Sequence, residues 1–267
     1  MVNTVAVPGF TAKQFTFLGV EKTVYIAGSG PVVIVMHEIP GISPPVHRFA
    51  TWLVNAGFTV YMPHLFGTPM KNVSPGYAFE QMVKACINKE FKVLAAHQSS
   101  PVIDWLRALA RHAFEEIGGR GVGAIGMCLT GNFALGMMLD EFLMAPVLSQ
   151  PSLPFPVGKE RKAGLHVDSK QIAAAHERIR QGAKILGLRF HGDPICPAQR
   201  FATLRAEFGD AFEGIEIDPK FANPKGLKPP HCVLTVDLID AAGQPTKEAA
   251  ERTIAFLKEQ LMPKSSS

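Results

Sequence analysis

The 267-residue chain reads as an α/β protein built on one mostly parallel sheet with helices on both faces. Three observations carry that expectation. Short, fully apolar, β-branched runs recur along the chain, as in strands buried on both sides. Segments with apolar residues at helical spacing separate them, the alternation that produces βαβ units. The composition also supplies material for a large core, with 47% hydrophobic and 19% charged residues.

The elements follow in order. FTFLG and TVYIAG, near the start, read as a leading pair of antiparallel strands. VVIVMH (32–37) is a buried strand, and PPVHRFATWLVNAG after it is a helix with Phe49, Trp52, Leu53 and Ala56 at helical spacing and Gly57 at its stop. FTVYMP (58–63) completes the first βαβ unit. Residues 101–117 are helical, with Val102, Trp105, Leu106, Leu109 and Ala113 on one face. GVGAIGM (121–127) is a strand and GNFALGMMLDEFL (131–143) a helix. APVLS is a strand, about 170–182 a helix, AKILGLRF (183–190) a strand and PAQRFATLRAEFG (197–209) a helix. FEGIEID (212–218) reads as a strand, and TKEAAERTIAFLKEQL (246–261) closes the chain as an amphipathic helix. The Pro/Gly-rich 64–77 and the Pro-rich 150–160 read as loops over one end of the sheet, because the alternation resumes after each. The expectation is a single domain over 1–267, with an N-terminal extension over 1–14 and a disordered tail at 263–267.

The formal charge of +4 is spread over scattered Lys and Arg, which argues against a nucleic-acid or membrane-surface role. The four cysteines, Cys86, Cys128, Cys196 and Cys232, form no CxxC pair, which argues against a zinc ribbon or a disulfide scaffold. The first residues show no basic segment followed by a long apolar run, and no apolar stretch reaches the ~18–20 residues needed to span a bilayer. The expectation is a soluble, reduced, cytoplasmic protein, a monomer or small homo-oligomer that needs no metal or cofactor.

Ligands of open α/β sheets bind beyond the carboxyl ends of the strands. There lie His37-Glu38-Ile39-Pro40-Gly41, then Pro63 and His64, then Met127 and Cys128, then His191-Gly192-Asp193, and His231 follows PKGLKPP. The order Cys128…Asp193…His231 is that of nucleophile, acid and base in the α/β-hydrolase arrangement. A thiol is a strong nucleophile only as thiolate, which a helix N-terminus or a neighbouring imidazolium favours. His231 would take the proton and return it to the leaving group, and Asp193 would hold the imidazole in its working tautomer. The N–H groups of Leu129 and Ile39 would bind the oxyanion. The usual elbow has glycines at −2 and +2; here Gly126 fits, Thr130 stands at +2 and Gly131 at +3. Alone, the motif reads more readily as an ordinary buried thiol at Cys128 than as a nucleophile. The strand before it, the helix after it, and the later Asp and His make it the candidate nucleophile.

These residues resemble the dienelactone hydrolase family, cysteine-nucleophile members of the α/β-hydrolase fold. The likeness lies in VVIVMHEIPGISPPVHRFATWLVNAGFTVYMPHLFG (32–67), AIGMCLTGNFAL, FHGDPICP and HCVLTVDL, and extends over roughly residues 15–261. The resemblance implies that Glu38 lies near the thiol and helps it ionise when substrate binds. It also implies hydrolysis of small esters or lactones through an acyl-thioester. In the family an arginine shortly after the His helps hold a substrate carboxylate; here the segment runs Cys232-Val233-Leu234-Thr235. Two other functions fit the same fold: a non-catalytic ligand-binding or scaffold protein, and an acyltransferase using the same thiol.

The remaining polar residues read as structural or solvated. His37, His64 and His191 are expected in structural roles, and His47, His97, His112, His166 and His176 in solvent. Gly28-Ser29-Gly30 reads as a hairpin turn rather than a phosphate loop, and Cys196 and Cys232 receive no role. There is no HExxH pattern.

Overall fold

The computed structural model describes residues 5–87, 90–91 and 100–263. β1 (Thr11–Phe17) and β2 (Val20–Ala27) form an antiparallel hairpin whose turn places Leu18 and Gly19 at positive φ. The parallel strands are β3 (Val32–Met36), β4 (Thr59–Pro63), β5 (Val122–Met127), β6 (Leu143–Ser149), β7 (Ile185–Phe190) and β8 (Phe212–Ile217). They assemble as one sheet in the order β1-β2-β4-β3-β5-β6-β7-β8, with β2 antiparallel to β4 and every later pair parallel.

The helices are α1 (Pro44–Asn55), α2 (Pro75–Ile87), α3 (Val102–Ile117), α4 (Phe133–Gly136), α5 (Gly158–Ala163), α6 (Ser169–Arg180), α7 (Ala198–Phe208) and α8 (Pro245–Leu261). Strand alternation sorts them onto two faces. Ile34 and Met36 of β3 enter the core shared with α3, α4, α6 and α7, whereas Val33 and Val35 enter the one shared with α1 and α8. Both faces of the central strands are therefore apolar, which is why those strands read as continuous apolar runs.

Four expectations change. Residues 131–143 do not form one helix: a 3₁₀ turn (Cys128–Thr130), the four-residue α4 and a second 3₁₀ turn (Met137–Leu139) precede β6. Packing overrides the helical pattern here. A Cβ on Gly131 would lie 2.4 Å from Pro151 Cα, and Asp140 is drawn to Arg107 at 2.7 Å and to Arg111. Gly28-Ser29-Gly30 is not a hairpin turn, because β2 pairs with β1 and β4 and not with β3. It crosses so close to the end of α1 that a Cβ on Gly28 would meet the Phe58 carbonyl at 2.1 Å. The loop expected over 64–77 gives way to α2 at Pro75. Finally, His166 is fully buried at φ +57, its Nε2 sharing a hydrogen bond with Ser100 Oγ at 2.7 Å, rather than solvated. His97 and residues 264–267 lie outside the described residues. Among the described residues no helix is long and apolar enough to cross a membrane.

Candidate active site

Cys128 follows β5 directly and adopts φ +54, a left-handed conformation that an L-residue holds only when its surroundings impose it. The tight turn explains the pattern of flanking residues. A Cβ at position 126 would lie 2.1 Å from the Thr130 carbonyl oxygen, so only glycine fits there. The second close approach falls at Gly131, where the backbone of Pro151 passes, and this places the other glycine at +3. Thr130 at +2 contributes hydrogen bonds instead. Its Oγ1 accepts from Met127 N–H at 2.9 Å and lies 3.0 Å from both the Met36 and Met127 carbonyl oxygens, tying the turn to the end of β3.

Asp193 stands three residues beyond β7, after Gly192 at φ +72. Its Oδ1 accepts from the N–H groups of Ile195 at 2.9 Å and Cys196 at 3.2 Å, which leaves Oδ2 for His231 Nδ1–H at 2.6 Å. Burial alone would raise its carboxyl pKa, but the His231 and backbone hydrogen bonds overcome it and hold the group below the usual range. His231 lies in a loop before α8, and Asp237 shapes that loop. Asp237 Oδ2 accepts from His231 N–H and Cys232 N–H, each at 2.7 Å, and Oδ1 from Leu227 N–H at 2.6 Å. Burial opposes a charged His231 ring, yet the Cys128 charge and hydrogen bond, with those of Asp193, raise its pKa well above the ordinary value. Cys128 is 6% exposed and His231 5%, so little water competes for these bonds.

Glu38 is buried at the end of β3. Its Oε1 accepts from Thr235 Oγ1–H, its Oε2 accepts from Gln150 Nε2–H at 2.9 Å, and Cys232 also hydrogen-bonds its carboxylate. Burial pushes this carboxyl pKa up, and the hydrogen bonds only partly offset the shift. Thr235, in the loop after His231, thus serves Glu38. Burial, followed by the Glu38 charge, raises the Cys232 pKa well above normal, and burial raises that of Cys196. Ile39 and Leu129 occupy matching places. β3 and β5 pair Met36 with Gly126, and each candidate lies three residues beyond its partner in that register (39 − 36 and 129 − 126).

His37 is fully buried, with Nδ1–H donating to the Glu38 carbonyl at 3.1 Å and Nε2 accepting from Leu65 N–H at 3.1 Å. Burial lowers its pKa to about 3, so it is a neutral strut. His64 bonds the Gly67 carbonyl at 2.9 Å, and His191 is exposed. Among the described residues no group of three or more His, Cys, Asp or Glu could hold a metal ion.

The sequence left the end of β6 unassigned, and two site residues stand there. Gln150 bonds Glu38, and Ser152 Oγ lies 3.2 Å from His231 Nε2 and 3.5 Å from Cys128 Sγ. The strand-end rule applied to APVLS points to both, since Ser149-Gln150-Pro151-Ser152 closes that strand.

The dienelactone hydrolase family model matches residues 17–208. The match includes Glu38, Cys128 and Asp193 and stops before His231. Carboxymethylenebutenolidase of Pseudomonas putida is 27% identical over 105 residues, and the chain spans only 43% of that relative's length and 39% of its own. Among solved structures, a candidate dienelactone hydrolase from Klebsiella pneumoniae subsp. pneumoniae MGH 78578 superposes with TM-score 0.62 at 20% identity, covering 94% of this chain and 99% of that one. A dienelactone hydrolase-like promiscuous phosphotriesterase from metagenomic libraries gives 0.60 at 14% identity, covering 95% and 99%. At these identities the likeness is one of fold. With the family match extending over well over half of its length, the chain belongs to the dienelactone hydrolase family.

Proposed function

We propose that the protein hydrolyses small carboxylic esters or lactones by nucleophilic attack of Cys128. The observation that carries this reading is a thiol held at positive φ on a strand-to-turn elbow, against an imidazole whose far nitrogen donates to Asp193 at 2.6 Å. The thiolate sulfur bonds to the substrate carbonyl carbon, its proton having passed to His231 Nε2. The N–H groups of Leu129 and Ile39 take the charge that builds on the carbonyl oxygen. As the tetrahedral species collapses, the carbon–oxygen bond to the leaving alkoxide breaks and His231 gives it the proton. Water then loses a proton to the same nitrogen and adds to the thioester carbon. The carbon–sulfur bond breaks, returning the thiolate and releasing the acid. Throughout, Asp193 keeps Nδ1 protonated and stabilises the imidazolium.

Glu38 serves the thiol indirectly in this scheme. Both of its oxygens accept hydrogen bonds, from Thr235 and Gln150, which fix the carboxylate at the end of β3. A cavity of about 320 Å³ lined in part by Phe66, Lys71, Tyr77 and Phe91 lies on the loop after β4, where Phe66 packs on His37, and none of its lining residues belongs to the Cys128 site.

Steady-state kinetics on a panel of p-nitrophenyl esters and small lactones test the proposal. Cys128→Ala is expected to lower kcat/KM by about 10³-fold or more, leaving at most the turnover that binding and the oxyanion donors provide. Turnover by Cys128→Ala equal to that of the parent would refute it. A parent that binds these compounds without turnover would identify a scaffold, and product diverted to added alcohols an acyltransferase.

A further inference from the structure

We propose that Ser152 is a catalytic hydroxyl, one that holds Cys128 and His231 together as a thiolate–imidazolium pair before attack. The inference rests on the reading of Cys128 as nucleophile. Ser152 Oγ lies 3.5 Å from Cys128 Sγ, 3.2 Å from His231 Nε2 and 3.0 Å from the Gln150 carbonyl oxygen, and the residue is fully buried. Its position is fixed from two sides. Its own N–H donates to the Cys128 carbonyl at 2.9 Å, and the preceding Pro151 carbonyl accepts from Arg200 Nη1 at 2.6 Å. Arg200 is itself fully buried and spends its donors on backbone carbonyls of Gly164, Pro151, Pro154 and Arg161.

The chemistry follows from the donor and acceptor count. A serine hydroxyl has one proton and two lone pairs. With His231 charged, Nε2–H donates to Oγ, and the serine proton is free to point at the sulfur. With His231 neutral, the same proton turns to the Gln150 carbonyl or to Nε2. The hydroxyl thus has partners in both states, but it donates to sulfur only when the base carries the proton. A donor bonds an anion more strongly than a neutral thiol, so the bond favours the charged pair. Ser152 is not placed to be the nucleophile: it has no accessible surface, and the elbow presents Sγ instead. The titratable groups around the pair are Asp193 after β7, Glu38 after β3, Cys196 before α7, and Cys232 and Asp237 in the His231 loop.

The test is the rate at which iodoacetamide alkylates Cys128, mapped by mass spectrometry across pH in the parent and in Ser152→Ala. Near about pH 6 the variant is expected to react about tenfold more slowly, the worth of one hydrogen bond to a charged group, and near about pH 10 the two rates converge. Superimposable profiles, or one uniform drop at every pH, would overturn the proposal and leave Ser152 a packing residue. Should Ser152→Ala not fold, Ser152→Cys replaces it; its weak S–H donor is expected to slow the low-pH reaction in the same direction, and an unchanged profile overturns the idea equally. Ester kinetics separate the two readings. A parent without esterase activity that still shows the pH-dependent difference sinks the hydrolase and leaves Ser152 in place. Unchanged turnover by Cys128→Ala sinks both.

Discussion

At the scale of single residues, the elbow is held by Thr130 as much as by its glycines. Thr130 Oγ1 satisfies the N–H of Met127, the last residue of β5, and reaches the end of β3. Thr130→Val keeps the shape and removes the hydroxyl, leaving a buried N–H unpaired. Chemical denaturation should report a loss of about 1–3 kcal/mol, with Thr130→Ser restoring most of it. Gly126 and Cys128 could be read from the spacing taken together with the flanking strand and helix and the later Asp and His, whereas the role of Thr130 could not. The −2, +2 glycine rule describes a turn in which nothing but backbone fits; here the crowding has moved to position 131, against Pro151, and only the fold shows where that backbone runs.

At the scale of elements, the strands and most flanking helices were readable because burial on both faces writes itself into apolar runs and helical spacing. α4 was not, since its apolar residues follow helical spacing while glycines and the Arg107–Asp140 pair break the chain into short turns. The loops were the least readable. Ser, Gln and Asp are common in exposed loops, so composition does not separate Ser152, Gln150 or Asp237 from solvated neighbours, although the strand-end rule marks the place of the first two. Burial is what makes them site residues. Asp237 is the clearest case, because its carboxylate gathers three N–H groups and thereby sets the His231 loop. In Asp237→Asn an amide NH₂ must face at least one of those donors, whichever way it turns. Thermal unfolding should show a cost of about 2 kcal/mol, and kcat should fall more than KM rises, because the base is displaced while the substrate space is left intact.

At the scale of the whole molecule, acid stability is set by groups the fold keeps from protonating. His37 titrates near 3 when folded, whereas an exposed histidine titrates near 6.5. Below about pH 6.5 the unfolded chain therefore binds a proton that the folded one refuses, and stability falls as pH falls toward about 3. Urea unfolding should show this group costing about 2 kcal/mol between about pH 7 and 5, and His37→Gln should flatten that slope. An unchanged slope in the variant would assign the loss to other groups. The same fold brings Glu38 and Thr235 into contact across 197 positions, and His231 stands 103 positions after Cys128 (231 − 128). A ribosome therefore completes the elbow long before it reaches the base. At the usual pace of about 5–20 residues per second, the nascent chain carries Cys128 for about 5–20 s before His231 exists. For that interval the elbow stands without the loop that carries His231, the base of the proposed mechanism, so the proposed pair of thiol and imidazole cannot form until that loop has been made.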